Sequence, residues 1–203
     1  MLHIVNGDCA VEALRESGIE GGFLSWIDVL HDGPVPAGLS LEELSEVRAD
    51  FIADCDWAVL EKVKAAFQKR DLVFNECHVY DEVVLWNSFE LFDQLQIMQL
   101  LDAFAQTREK YQHLSIIFID DYLGRASIES LPGWFEKRKP VSDTQLLLGQ
   151  LGWRAFTAQT PALMFELVQQ DTSALPFLQS GLFRLLRNFP QRGVACQEQS
   201  AVF

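Results

Sequence analysis

Residues 2–28 read LHIVNGDCAVEALRESGIEGGFLSWID, and their order decides the fold. Leu2 to Asn6 is a short β-prone run that stops at Gly7-Asp8. From Cys9 to about Ser17, Val11 and Leu14, with Ile19 beyond them, are spaced for one helical face, and Gly18 stands where such a helix should stop. Phe23 to Ile27 then reads as a second strand ending at Asp28. A strand, a glycine turn, a short helix and another strand make a crossover unit, because parallel strands need a connection of helical length. The sheet should therefore be parallel.

Working outward, Val29 to Gly38 is a loop punctuated by Gly33, Pro34, Pro36 and Gly38. Ser40, with Glu43 at the capping-box position, starts a helix, and helices should fill 40–54 and 57–69. Glu82 to Trp86 reads as the third strand, followed after Asn87-Ser88 by a helix from about Glu90 to Thr107. Leu114 to Ile119, LSIIFI, has lost its polar alternation, as a strand covered on both faces does, and ends at Asp120-Asp121. Strand signals then cease; 127–138, 142–157, 161–170 and 174–188 read as helices, with Ser142, Thr160 and Thr172 or Ser173 near their starts. The expected architecture is α/β: a mostly parallel sheet of four to five strands with flanking helices, followed by a helical C-terminal subdomain. Residues 1–124 form a Rossmann-like domain in this reading, 125–190 the helical part and 191–203 a loose tail.

The 203 residues are 49% hydrophobic and carry a net charge of −13, near average for a globular chain in apolar content. Residues 1–100 hold 19 acidic and 6 basic side chains, whereas 101–203 hold ten of each, so all the net charge sits in the first half. Such a half repels phosphate backbones, which argues against nucleic-acid binding. The helices at 40–69, which carry much of that charge, read as solvated surface. No run approaches the roughly 18 apolar residues of a membrane span, and no basic leader precedes the first strand. Cys9, Cys55, Cys77 and Cys196 stand far apart and match no zinc or disulfide spacing, which points to reduced thiols in a cytoplasmic protein.

In open parallel sheets ligands bind beyond the carboxyl ends of the strands. Four such ends should therefore gather Asn6, Gly7 and Asp8, then Asp28 with the loop residues His31 and Gly33, then Trp86, Asn87, Glu90, Asp93 and Gln94, and finally Asp120. His31, Asp8 and Asp28 are the candidate catalytic groups, His31 because an imidazole titrates near neutrality. Asn6, Gly7, Gly33, Trp86, Glu90, Asp93, Gln94 and Asp120 are candidate ligand contacts. Each also has a structural reading: Asp8 as a helix cap, Gly7 as a turn, Trp86 packed under the sheet. Carboxylates with amides suit Mg²⁺, which would hold a phosphate, although no metal motif is present. Arg125, Lys137, Arg138 and Lys139 could add anion contacts. The leading expectation is a small phosphorylated or nucleotide-like ligand, with hydrolase or transferase chemistry. The alternative is a non-catalytic regulatory or protein-interaction module, in which a protein partner or a second copy meets the acidic half.

Three stretches, LHIVNGDCAVEAL (2–14), WIDVLHDGPVPAG (26–38) and VLWNSFELFDQLQIMQLL (84–101), together resemble a bacterial domain-of-unknown-function family, number 1835. The likeness continues through KRKPVSDTQL (137–146) and DTSALPFLQSGLFRLLRNFP (171–190), and so covers about nine-tenths of the chain. It implies family positions at Asn6-Gly7-Asp8, at Asp28, His31, Gly33 and Pro34, and at Trp86 with Asp93-Gln94. No activity comes with it. Ser88, Phe89 and Glu90 stand where the family pattern has a Glu-His-Asp-like polar set, which puts in doubt any activity that needs those groups. Relatives often continue past the proline near 190 into a further helical segment, so the resemblance implies a module that is missing or shortened here.

Overall fold

A computed structural model of the chain describes residues 1–108 and 111–188. The expected crossover is there: β1 (Leu2–Val5), α1 (Asp8–Glu16) and β2 (Gly22–Ser25), with β1 and β2 parallel. Two helices, α2 (Leu41–Asp54) and α3 (Leu60–Asn75), lead to β3 (Val83–Ser88), and α4 (Leu91–Gln106) leads to β4 (Leu114–Ile119). Ser40 and Glu43 close their capping box at the start of α2. Short 3-10 turns and α5 (Leu131–Phe135) precede β5 (Lys139–Pro140), and α6 (Asp143–Thr157), α7 (Ala162–Leu167) and α8 (Leu178–Asn188) follow.

The sheet order is β2-β1-β3-β4-β5, parallel except for β5. β1 and the two longer strands are buried almost throughout, which explains their unbroken apolar sequence. Val5, Val84, Trp86, Ile117 and Ile119 pack on one face with α1 and α5. Ile4, Leu85 and Ile116 pack on the other with α3 and α4. Because the chain winds from β1 to β2 over one face and from β3 to β4 over the other, its direction reverses between β1 and β3.

Three expectations change. β5 breaks the anticipated end of strand structure; it is two residues long, contains a proline and sits at the edge, so it left no period in the sequence. β3 runs to Ser88, two residues beyond the expected Trp86, because Asn87 and Ser88 pair with Phe118 and Ile119. The helical C-terminal part follows as expected and shares its core with the sheet: one apolar cluster runs from Leu2 through Leu101 and Phe156 to Leu185, so α6 to α8 complete a face of the sheet. Of the cysteines, Cys9 and Cys77 are free thiols, but Cys55 is disulfide-bonded, so the cysteines no longer argue for a reducing compartment. The expectations for Cys196 and for a tail at 191–203 lie outside the described residues.

α4 is held unusually close. A β-carbon on Gly149 of α6 would fall 2.2 Å from the Leu101 Cβ, and one on Gly152 would fall 2.4 Å from the Met98 sulfur. Bare backbone at these positions lets the two helices touch. Among the described residues no helix is long and apolar enough to cross a membrane.

Candidate functional site

The reversal of winding between β1 and β3 is where an open α/β sheet leaves a crevice. Polar side chains collect there although the strands beneath are apolar. Asn6 follows β1; Asn87 and Ser88 end β3; Asp93, Gln94 and Gln96 lie on the first two turns of α4. Ser88 donates its hydroxyl to Asp93 Oδ2, and the Glu90 amide donates to Ser88 Oγ at 3.3 Å. The Gln94 amide donates to Asn87 Oδ1 at 2.9 Å and to the Ser88 carbonyl at 2.6 Å. Asn87 in turn donates to the Asp93 carbonyl at 3.0 Å. Gln96 donates to Asn6 Oδ1 at 2.9 Å and to the Trp26 carbonyl at 2.6 Å, which ties α4 to β1 and to the end of β2.

Asp93 is 4% exposed and meets no cation in this network. Burial pushes its pKa up to about 6, the nearby Glu90 carboxylate pushes the same way, and hydrogen bonds from Ser88 and Asn6 offset only part of the rise. Glu90, half-buried at the start of α4, is also raised by burial, against the pull of Arg125 and Arg184. Those two guanidiniums, one from the turn after β4 and one from α8, bring positive charge to the crevice. On its other side α1 begins at Gly7, and no side chain caps its first turn. Asp8 is exposed as the first residue of that helix.

Several expected members lie elsewhere. Asp28 is buried against Arg48, whose Nε donates to Oδ1 at 2.9 Å; the same guanidinium donates to the carbonyls of Val29, Asp32 and Pro34. Its carboxylate therefore clamps the 28–34 loop. Gly33 serves the same loop, with φ of +74° and a virtual β-carbon 2.5 Å from the Phe51 ring. Trp86 is directed away from the strand mouth because β3 continues past it. Its indole N–H donates to His3 Nδ1 at 3.1 Å on the α1 face, and burial holds His3 below its usual range, so the neutral ring accepts that bond. His31 is half-buried, with Nε2 3.3 Å from Asp32 Oδ2 and its ring 4.5 Å from that of Phe92, the residue before Asp93. Asp120 is exposed after β4 and makes none of the network's hydrogen bonds. Lys137, Arg138 and Lys139 sit beside β5: Lys137 lies over Trp134 and Arg138 pairs with Glu82. Of the four candidate anion contacts, Arg125 is the one whose charge acts on Glu90.

Two groups of residues escaped the sequence reading. Gln96 and Arg184 complete the crevice, and Arg48 and Arg70 anchor the loop after β2. Arg70 donates to the Ile27 carbonyl at 3.2 Å, to Ser45 at 2.7 Å and to Asp71 at 2.8 Å, and lies over the Trp26 ring. Among the described residues no group of three or more His, Cys, Asp or Glu side chains is placed to hold a metal ion. No protein-family model matches the chain, and neither the curated proteins nor the solved structures yield a match.

Proposed function

We propose that the protein binds a small phosphorylated or nucleotide-like molecule in the crevice where β1 and β3 part, and acts on it as a hydrolase or transferase. The observation that carries this reading is the polar network at the winding reversal, built around a buried carboxylate without a cation. The amides of the first turn of α1, free of any capping side chain, suit an anionic group, and Arg125 and Arg184 add charge of the right sign. Asp93, with a pKa near 6, is poised to take or give a proton close to neutral pH. In this reading it replaces Asp28 as the acid-base group, and His31 borders the site through Phe92. The phosphate is assigned to amides and guanidiniums, since among the described residues no group of three or more His, Cys, Asp or Glu side chains is placed to hold a metal ion.

A second reading is favoured by one fact: the amide donors are all taken within the fold, Gln94 by Asn87, Asn87 by the Asp93 carbonyl, and Gln96 by Asn6 and the Trp26 carbonyl. Such a network can serve only to lock α4 to the sheet, as in a non-catalytic regulatory or interaction module. Thermal denaturation with a panel of nucleotides and sugar phosphates separates the two. A ligand at one hundred times its Kd adds about 2.7 kcal/mol, which is about 5–10 °C for a chain of this size. The expected result is such a shift, reduced by Asp93→Asn or by Arg184→Gln. No shift with any compound supports the module.

A further inference from the structure

The sheet ends at β2 on one side and, on the other, at a two-residue strand that covers only part of its neighbour. β5 pairs with β4 only at Ser115–Pro140 and Ile116–Lys139, whereas β4 runs on to Ile119. Past Ile116 the outer edge of β4 has no strand partner among the described residues. The Leu114 carbonyl accepts from the Val141 amide at 2.8 Å on that outer side. Alternate residues of a strand present their N–H and C=O to the same side, so Leu114, Ile116 and Phe118 face outward. Phe118 is the first that β5 does not reach. A cavity of about 310 Å³ lies there, lined by Ile117, Phe118, Trp134, Lys137, Lys139 and Gln145.

We propose that this slot is a docking site for an extended, acidic segment of a partner protein, added to the sheet beside β4 as a further strand. Unpaired main-chain groups on an edge are a template for such addition, and side-chain pockets then set its specificity. The charge decides the partner. Lys137 and Lys139 are both exposed at the slot, in a chain whose net charge is −13 and whose acidic excess lies in its first half. An acidic strand meets attraction at the slot, and a basic one meets repulsion. A second copy of this chain is a poor occupant, since pairing β5 with β5 sets lysine against lysine and offers a proline with no N–H.

The test uses the full chain and a labelled peptide of alternating glutamate and valine, about eight residues long, within the usual range for a strand. It should bind at least about tenfold more tightly than its lysine-valine counterpart, since two rim charges favour one and oppose the other. Methylating alternate backbone nitrogens of the peptide should abolish binding, and amide exchange at Phe118 should slow in the complex. K137E/K139E changes two exposed side chains, one of them lying over Trp134, and should reverse the peptide preference while the chain still unfolds cooperatively within a few degrees of the parent. Equal binding of the two peptides, full binding of the methylated one, or edge protection arising from self-association without peptide would each overturn the proposal.

Discussion

Among the described residues Asp28, Asp71 and Asp93 are buried carboxylates, and the first and last of them are treated differently. Asp28, in the loop after β2, faces a guanidinium that also gathers three carbonyls of its own loop. Asp93, one strand away, faces a hydroxyl, an amide and the like charge of Glu90. Both are almost wholly removed from water. The first arrangement holds a backbone segment in shape, and the second leaves a proton loosely held near neutral pH. A guanidinium beside a buried acid offsets the cost of its charge, which a hydroxyl and an amide do only in part.

The largest effect should come from breaking the pair of Asp28 and Arg48. Arg48→Met leaves Asp28 buried and unpaired and should cost about 3–5 kcal/mol, read as a fall in the urea midpoint at an unchanged slope. Adding Asp28→Asn should recover part of that loss. A cost below about 1 kcal/mol for Arg48→Met would mean that the loop is held by something else. Next in size is Gly33→Ala, which places a side chain at positive φ and against Phe51; about 2 kcal/mol should be lost, with the crevice network untouched.

The smallest effect has the opposite sign. The folded pKa of Asp93, about 6, lies above the ordinary 3.8, so the folded protein holds this proton more tightly than the unfolded chain does. Its contribution to stability is complete below about pH 4 and is lost as pH rises through 6. Asp93→Asn keeps an acceptor for Ser88 without the charge. It should therefore raise stability by about 1–2 kcal/mol at pH 7 and leave it unchanged below about pH 4. A loss at pH 7 would show that the charged form is the one the fold prefers, and the contrast with Asp28 would fall.

Much of this was legible in the sequence, for a physical reason. The strands at the centre of the sheet are covered on both faces, so LHIV and LSIIFI announce themselves, and the glycine-bounded helix between β1 and β2 forces a parallel pairing. The strand ends were legible as places but not as partnerships. Trp86 was misplaced because two polar residues, Asn87 and Ser88, look like the end of a strand when they are its last paired positions. Asp28 was misassigned because its partner lies in a helix read as solvated. The signal was present there: Leu44, Arg48 and Ile52 recur every four residues, as do Val63 and Phe67 ahead of Arg70 and Phe74, so each arginine occupies the apolar stripe of its helix. A cation on a buried stripe asks for a buried acid.

The grip of α6 on α4 has a consequence for how the molecule assembles. The crevice combines residue 6, residues 87–96 and the guanidinium of residue 184, and the helix that presents its central carboxylate is seated only when Gly149 and Gly152 have docked against Leu101 and Met98. Contacts so distant along the chain form late and slowly, because the entropy of closing long loops is met before they stabilise anything. A nascent chain released before α6 would carry all four parallel strands and an unfinished crevice, so the polar network at the mouth of β3 should be the last part of the fold to settle.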